Sequence, residues 1–229
     1  MLARCGAGGA MVCQPSRCGA TRWRHYAARA RCAQALPHRV TTAMATSAAC
    51  RGAAYELACL RTLESWMGMK LHRTGGAGDR GVDLRGWWAP GPSGADAYRV
   101  LVQCKAEKRP VGPATVRELE GTLLRAGWVE QRAQTAPVSL FAILASASGF
   151  SKQTLLHMRS SPLPMLLMHL AVDTSQATMP QALPCQGFVW NDALAGRHGL
   201  LRGDYEAIWH TRVESAPVLT LYRGGVRVC

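Results

Sequence analysis

The sequence predicts an α/β protein in which a central mixed β-sheet is flanked by helices. Apolar residues at helical spacing alternate with short apolar runs bounded by turn-forming residues. From residue 52 to residue 171 these segments follow the order α-β-β-β-α-β-α-β. Three successive strands followed by a helix and another strand predict a sheet with both antiparallel and parallel pairs.

Each predicted helix has an apolar stripe and recognisable ends. The first covers 52–67 and stops at Gly68, because glycine readily adopts the left-handed backbone that closes a helix. The second begins at Pro113, which suits a first helical turn, and is predicted to end at Gly127. A third helix is expected at 150–159.

The predicted strands are short apolar runs separated by turns. They cover 70–73, 82–88, 98–105, 138–145 and 164–171. The second and third form a hairpin across a loop rich in Gly and Pro. A hairpin with a Gly-Gly turn is expected at 220–228. No apolar run is long enough to span a membrane.

The leading segment differs in composition from the rest of the chain. Up to residue 55 it has eight arginines, no lysine, aspartate or glutamate, and no continuous apolar stretch. This composition is typical of a mitochondrial transit peptide, with a chloroplast peptide as second choice and a disordered basic arm as the alternative. We predict a transit or disordered segment at 1–47, a folded core at 48–172, and an extension with loop and short strands at 173–229.

Charge and cysteine content narrow the class of protein. The net charge is +13 at pH 7, which is compatible with a nucleic-acid partner. Nine cysteines occur without a C-x-x-C pair or a zinc pattern. Free thiols in a reducing compartment are therefore expected, rather than a disulfide scaffold.

The chemistry-bearing residues stand at the ends of two predicted strands. Asp83 opens one strand after a glycine-rich run, and Gln103 and Lys105 end the next. Side chains two residues apart share one face of a strand, so pairing would bring carboxylate, amide and ammonium together. Metal-dependent phosphodiester hydrolysis needs such a set. In the plainer interpretation, Asp83 ends a turn and Lys105 is a solvated strand end.

These motifs resemble the Mrr-type branch of the PD-(D/E)xK restriction-endonuclease-like nucleases. That branch has a G-x-G-D-x-G-x-D run and then a strand ending in Q-x-K. The matching residues are Gly76, Gly78, Asp79, Gly81, Asp83, Gln103 and Lys105. The family's helical aromatic-Glu pair matches Tyr55 and Glu56. Segments 117–121 and 188–191 also resemble a mitochondrial subfamily first noted in fungi for a requirement in respiratory growth.

The resemblance implies a restriction-endonuclease-like core of order α-β-β-β-α-β and a Mg²⁺-dependent deoxyribonuclease, with Mn²⁺ as the other candidate ion. The metal ligands would be Asp83, Gln103 and Glu56, and Lys105 would complete the catalytic set. Glu56 has a second interpretation, as a residue that stabilises the start of its helix. Phosphate contacts are expected from Arg80, Arg85, Lys108, Arg109 and Arg117. Gln103 departs from the common pattern of the wider nuclease superfamily, in which most members carry Asp or Glu, although the Mrr-type branch tolerates Gln there.

Three functions stay open. The first is an endonuclease that cuts DNA in the maintenance of organellar, most simply mitochondrial matrix, DNA. The second is a catalytically inactive nuclease-fold protein that binds DNA. The third is a mitochondrial factor needed for respiratory function, in which the fold is a scaffold. RNA is an alternative to DNA, and a homodimer is an open possibility.

Overall fold

The computed structural model describes residues 47–74, 81–90, 96–133, 139–172, 182–212 and 215–228. All of them lie in one unit, Ala45–Cys229. The predicted segment at 1–47 therefore lies outside the described residues, except for Ser47. The helices are α1 Ala48–Met67, α2 Pro113–Ala133, α3 Lys152–Ser160 and α4 Asp192–Ala195. The strands are β1 Lys70–Arg73, β2 Leu84–Trp88, β3 Tyr98–Lys105, β4 Leu140–Ser146, β5 Met165–Leu170, β6 Cys185–Trp190, β7 Tyr205–Arg212, β8 Ser215–Arg223 and β9 Val226–Arg227.

The main sheet has six strands in the order β1-β2-β3-β4-β5-β6. β1, β2 and β3 form antiparallel pairs, β4 runs parallel to both β3 and β5, and β6 is antiparallel to β5. The predicted mixed sheet flanked by helices is thus confirmed. β7, β8 and β9 form a second, antiparallel sheet, in which β8 and β9 make the predicted hairpin around Gly224 and Gly225.

Helices cover the two faces of the main sheet with separate apolar cores. On one face, α1 packs through Tyr55 and Leu63 against Val100 and Val102 of β3. On the other, α2 and α3 pack with Leu101 against β4 and β5. Because neighbouring residues of β3 point to opposite faces, both cores draw on the same strand.

The predicted end of α1 at Gly68 and the predicted start of α2 at Pro113 are confirmed, whereas two other helix ends differ. α1 closes at Gly68 with φ 65°, but it begins at Ala48 rather than at the predicted residue 52, after Ser47, whose side chain accepts a hydrogen bond from the Cys50 amide. The predicted end of α2 at Gly127 is wrong, because the helix continues to Ala133. An interior glycine costs a helix only roughly 0.5–1 kcal/mol relative to alanine, so Gly127 by itself is not enough to end α2.

β6 was not predicted from the sequence, and one buried side chain fixes its end. Asn191 is 3% exposed. Its amide oxygen accepts from the backbone of Met165 and Leu194, and its amide nitrogen donates to three carbonyls. The side chain therefore ties the end of β6 to α4, to the start of β5 and to the turn before it.

Candidate functional site

Asp83 is held at the point where three strands meet. Its backbone N–H donates to Val102 of β3 (2.9 Å), and its carbonyl accepts from Thr74 after β1 (2.9 Å). Its carboxylate Oδ2 lies 2.6 Å from the backbone nitrogen of Cys104. A hydrogen bond from an N–H to a carboxylate is charge-assisted and stronger than a neutral one. The carboxylate is therefore fixed beside the end of β3, as the predicted hairpin required.

Gln103 carries an oxygen without a partner. The residue is 5% exposed. Its buried Oε1 accepts no hydrogen bond from the residues that the structure describes. A buried acceptor left unsatisfied costs about 1–3 kcal/mol. Such an atom is available to a ligand that brings a positive charge or a donor.

Gly81 makes room for the Gln103 amide. Its φ is +75°, and a Cβ at this position would lie 3.1 Å from Gln103 Nε2. Glycine adopts this left-handed conformation without steric cost, whereas other residues do not. The end of the glycine run thus both bends the chain toward Asp83 and leaves space for the amide.

Lys105 stands at the carboxyl edge of the parallel strands. It is the last residue of β3, half-buried, and pairs in register with Ser146 at the end of β4. Its carbonyl accepts from Ala147 at 3.0 Å. The structure therefore brings Asp83, Gln103 and Lys105 to one edge of the sheet, where α/β proteins commonly bind ligands.

A basic loop follows β3 at the same edge. Ser148 Oγ lies 2.7 Å from the carbonyl oxygens of both Glu107 and Arg109, and so ties this loop to the turn after β4. Lys108 and Arg109 are exposed on it, and Arg117 is exposed on α2. Their predicted phosphate contacts stay predictions. Arg80 lies outside the described residues.

Glu56 has a different partner from the one expected. Its carboxylate pairs with Arg73, with Oε2 2.6 Å from the guanidinium nitrogen, and the side chain is 19% exposed. The ion pair joins α1 to the end of β1. The structure thus gives Glu56 a cation already, whereas the sequence suggested a metal ligand.

Cys104 links the two carboxylates electrostatically. A hydrogen bond with Cys59 raises the pKa of its thiol, burial raises it further, and the charges of Asp83 and Glu56 add to the effect. Both carboxylates are thus close enough to influence this thiol. Cys104 is protonated and packed in the core, not a nucleophile.

The donor set bears on the kind of ion the site could hold. Within the described ranges, no group of three or more His, Cys, Asp or Glu side chains is placed to hold a metal. The oxygens of Asp83 and Gln103 are hard donors of the kind that Mg²⁺ accepts alongside several waters. These residues fit a lightly held divalent ion and not a closed structural site.

Sequence reasoning missed part of the basic surface near this site. Arg85 was predicted, and the structure places His72 and Arg99 beside it on neighbouring strands. The available signal was strand alternation, because these side chains lie on the same side of the sheet as Gln103 once the strands are paired. The register was needed to see it.

Among the described residues, no helix combines the length and apolar character of a membrane crossing.

Comparison with known proteins identifies relatives of this chain. The family model described as "Required for respiratory growth protein 7" matches residues 47–96 and 90–194. The "Uncharacterized protein C824.03c, mitochondrial" of Schizosaccharomyces pombe is 34% identical over 122 residues, which are 53% of this chain and 43% of that protein. The chain therefore spans less than half the length of this relative. No solved structure matches.

The comparisons bear on location and on family. The predicted mitochondrial location is confirmed by the labelled relative and by the family. The matched segments run from the start of α1 to α4, and so include β6 as well as the candidate site. The chain belongs to the family of Required for respiratory growth protein 7.

Proposed function

We propose that this chain is a mitochondrial factor needed for respiratory growth, and that it acts by hydrolysing phosphodiester bonds in DNA at the end of β3. The family's name supports the first part. The second part rests on one observation: the buried, unpartnered oxygen belongs to Gln103, the residue directly before Cys104, whose backbone amide holds the carboxylate of Asp83.

Asp83 and Gln103 would hold a Mg²⁺ or Mn²⁺ ion in this proposal. The ion, when bound, would lower the pKa of a coordinated water and polarise the phosphoryl oxygen. The amide of Cys104 holds the Asp83 carboxylate in one orientation. We assign no metal role to Glu56, because it already pairs with Arg73.

Lys105 would provide the positive charge of the site. From the end of β3 its ammonium can orient the attacking water and stabilise the charge that develops on the phosphoryl group. Lys108 and Arg109 on the following loop would contact neighbouring phosphates, because both are exposed cations at the same edge.

The topology supports the likeness to PD-(D/E)xK nucleases. An N-terminal helix, three antiparallel strands, a crossover helix and a parallel strand are the arrangement that the resemblance implies. The fold is shared by proteins with other activities, so the site residues have to carry the argument. In the same proposal, residues 1–47 form the transit peptide.

A second candidate function is binding to nucleic acid without cleavage. It is favoured by the amide at Gln103, because an uncharged oxygen attracts a divalent ion less than a carboxylate does. A scaffold role in respiration is the third outcome, and it predicts no affinity for nucleic acid at low salt.

A cleavage assay with the full chain tests the proposal. Duplex, nicked, branched and single-stranded DNA would be incubated with and without Mg²⁺ or Mn²⁺, using wild type, Asp83→Asn and Lys105→Met. Lys152→Met is the matched control, because Lys152 is an exposed lysine on α3. We expect metal-dependent cuts that both site variants lose and the control keeps.

Other outcomes decide between the candidates. If the wild type binds DNA but never cuts it, the proposed function becomes nucleic-acid binding without hydrolysis. Neither binding nor cutting would leave the scaffold role. Growth on a non-fermentable carbon source of cells that carry only Asp83→Asn would then show whether respiration needs this carboxylate.

A further inference from the structure

A row of basic and aromatic side chains lies on the face of the main sheet opposite α1. We call it the cationic face and define it by Lys70, His72, Arg85, Trp87 and Arg99. Their neighbours Leu71, Leu84 and Val100 enter the core beneath α1, so alternation turns the cationic set to the other side. On that side α2 packs against β4. Lys70 and His72 are exposed, and the other three are half-buried.

The members of the cationic face interact closely. The guanidinium carbon of Arg99 lies 4.8 Å from the ring centroid of Trp87, within cation–π range. His72 keeps much of its solvent exposure, but partial desolvation of its ring lowers its pKa, and the charges of Arg99 and Arg85 lower it further. Like charges are thus held near one another, an arrangement that an anionic ligand stabilises.

Arg85 carries an orphaned donor. Its Nε is buried and has no hydrogen-bond partner in the structure as described. A guanidinium presents several donors in a plane that matches the oxygens of a phosphate. Without such a partner, the buried N–H costs free energy comparable to a lost hydrogen bond.

The cationic face runs into the candidate site. Arg99, Gln103 and Lys105 share one side of β3 by alternation, and the strand covers about 20 Å between the first and the last of them at ~3.3 Å per residue. Arg85 pairs in register with Leu101, which lies midway between Arg99 and Gln103 on β3. A strand of nucleic acid lying along β3 would therefore meet the cations before it reaches Asp83.

We propose that the cationic face binds a single strand of nucleic acid and guides it to the edge that carries Asp83. This inference rests on the proposed function and names its substrate as unpaired. Arg85 and Arg99 contact phosphates, His72 and Lys70 add positive charge, and an unpaired base stacks on Trp87. A duplex buries the faces of its bases, whereas a single strand offers them to aromatic side chains.

The two adjacent tryptophans of β2 lie on opposite sides of the sheet, one in the core and one on the cationic face. Trp88 is 1% exposed and packs against Phe141 and Tyr205. Trp87 points to the opposite side, beside Arg99. Trp87 can therefore be changed without opening the main core, which makes it a usable probe.

Fluorescence anisotropy with the full chain tests this proposal in EDTA, so that binding is separated from cleavage. The probe is a 5′-labelled oligothymidylate, with a labelled duplex of equal length beside it. Arg85→Gln with Arg99→Gln is expected to weaken binding about tenfold or more and to flatten its salt dependence. Trp87→Leu is expected to weaken single-strand binding ~10-fold and to leave duplex binding unchanged.

Controls keep the result interpretable. Arg227→Gln removes one positive charge from exposed β9, as the single Arg85→Gln change does from the face, and should leave affinity within about twofold, since it lies outside the face. Arg85→Lys keeps the charge but loses the fork, so partial recovery relative to Arg85→Gln supports a phosphate contact. Circular dichroism melts would show that each variant is folded.

Several outcomes would overturn the proposal. These are face variants that bind like Arg227→Gln, equal loss on duplex and single strand in Trp87→Leu, or a face that binds cardiolipin vesicles and no oligonucleotide. Metal-dependent cleavage with unchanged binding in the face variants would remove this surface and keep the catalytic site. If the wild type binds through the cationic face but never cuts, the binding surface is kept and the catalytic site is removed.

Discussion

The carboxylate of Asp83 and the backbone amide of Cys104 are joined by a hydrogen bond of 2.6 Å, which fastens the start of β2 to the end of β3. The bond holds the carboxylate of Asp83 at the backbone of Cys104, the residue that lies between Gln103 and Lys105 in the sequence. It also means that Asp83 has a structural role beside any catalytic one, so its substitutions have two separable effects.

Asp83→Asn and Asp83→Ala should therefore differ in stability. Asparagine keeps an acceptor for the Cys104 amide, whereas alanine leaves that N–H without one, at a cost of about 1–3 kcal/mol. Urea unfolding would measure the difference. Both variants should lose metal-dependent cleavage, because neither has a carboxylate. Cleavage that survives in Asp83→Asn would remove Asp83 from the metal site.

Gly81→Ala should destabilise the protein more than Gly68→Ala does. Both glycines have positive φ, +75° and +65°, so each substitution costs about 1–2 kcal/mol for the backbone alone. Only at Gly81 does the new Cβ also press on the amide of Gln103, 3.1 Å away. Thermal unfolding of the two variants would isolate this extra term. Equal losses would mean that the Gln103 amide moves away without cost.

Asn191→Asp should strongly destabilise the fold. The amide nitrogen donates to the carbonyls of Met158, Ser161 and Leu163, and a carboxylate oxygen in its place would repel all three. A loss of about 3 kcal/mol or more is expected near neutral pH. Denaturant unfolding at pH 7 and pH 5 would show the loss shrinking in acid, where the introduced carboxyl is protonated. Exposed Asp192→Asn is the matched control.

His72→Gln should weaken the dependence of stability on pH. The pKa of His72 is lowered from 6.5, by burial and by Arg99 and Arg85, so the unfolded chain binds the proton more readily than the folded one. The contribution of His72 to the free energy of unfolding is therefore fully present above about pH 6.5, and it is lost as the pH falls toward the folded pKa. Urea midpoints at pH 7 and pH 5 should lie closer together in the variant. His198→Gln, at another exposed histidine, is the matched control for the loss of a histidine side chain.

Cysteine labelling should distinguish surface thiols from those of the core. Burial raises the pKa of Cys185 to about 11, and the Cys59 hydrogen bond with burial raises that of Cys104. Iodoacetamide reacts with thiolates, so at pH 8 it should label exposed Cys50 well before these two. Mass spectrometry before and after urea would test this. Rapid labelling of native Cys104 would mean that α1 separates readily from β3.

The sequence alone determined the local elements and the chemistry at their ends. Gly68 marked the end of α1, and strand alternation placed Val100 and Val102 in one core because side-chain period follows from backbone geometry. The short distance along the chain between Asp83 and Gln103 made their meeting predictable, since a hairpin is a local structure. The leading composition favoured a mitochondrial over a chloroplast location, and the comparison with known proteins confirmed the first.

Only the tertiary structure decided which distant segments meet. Glu56 of α1 pairs with Arg73 of β1, and β6 joins the sheet through Asn191. Arg85 and Arg99 become neighbours through the β2–β3 register. Such contacts depend on packing and on pairing over long sequence separations, where a shift of one residue would reverse every face. Sequence periodicity does not tell which strands pair or in which register, because that depends on the assembled sheet.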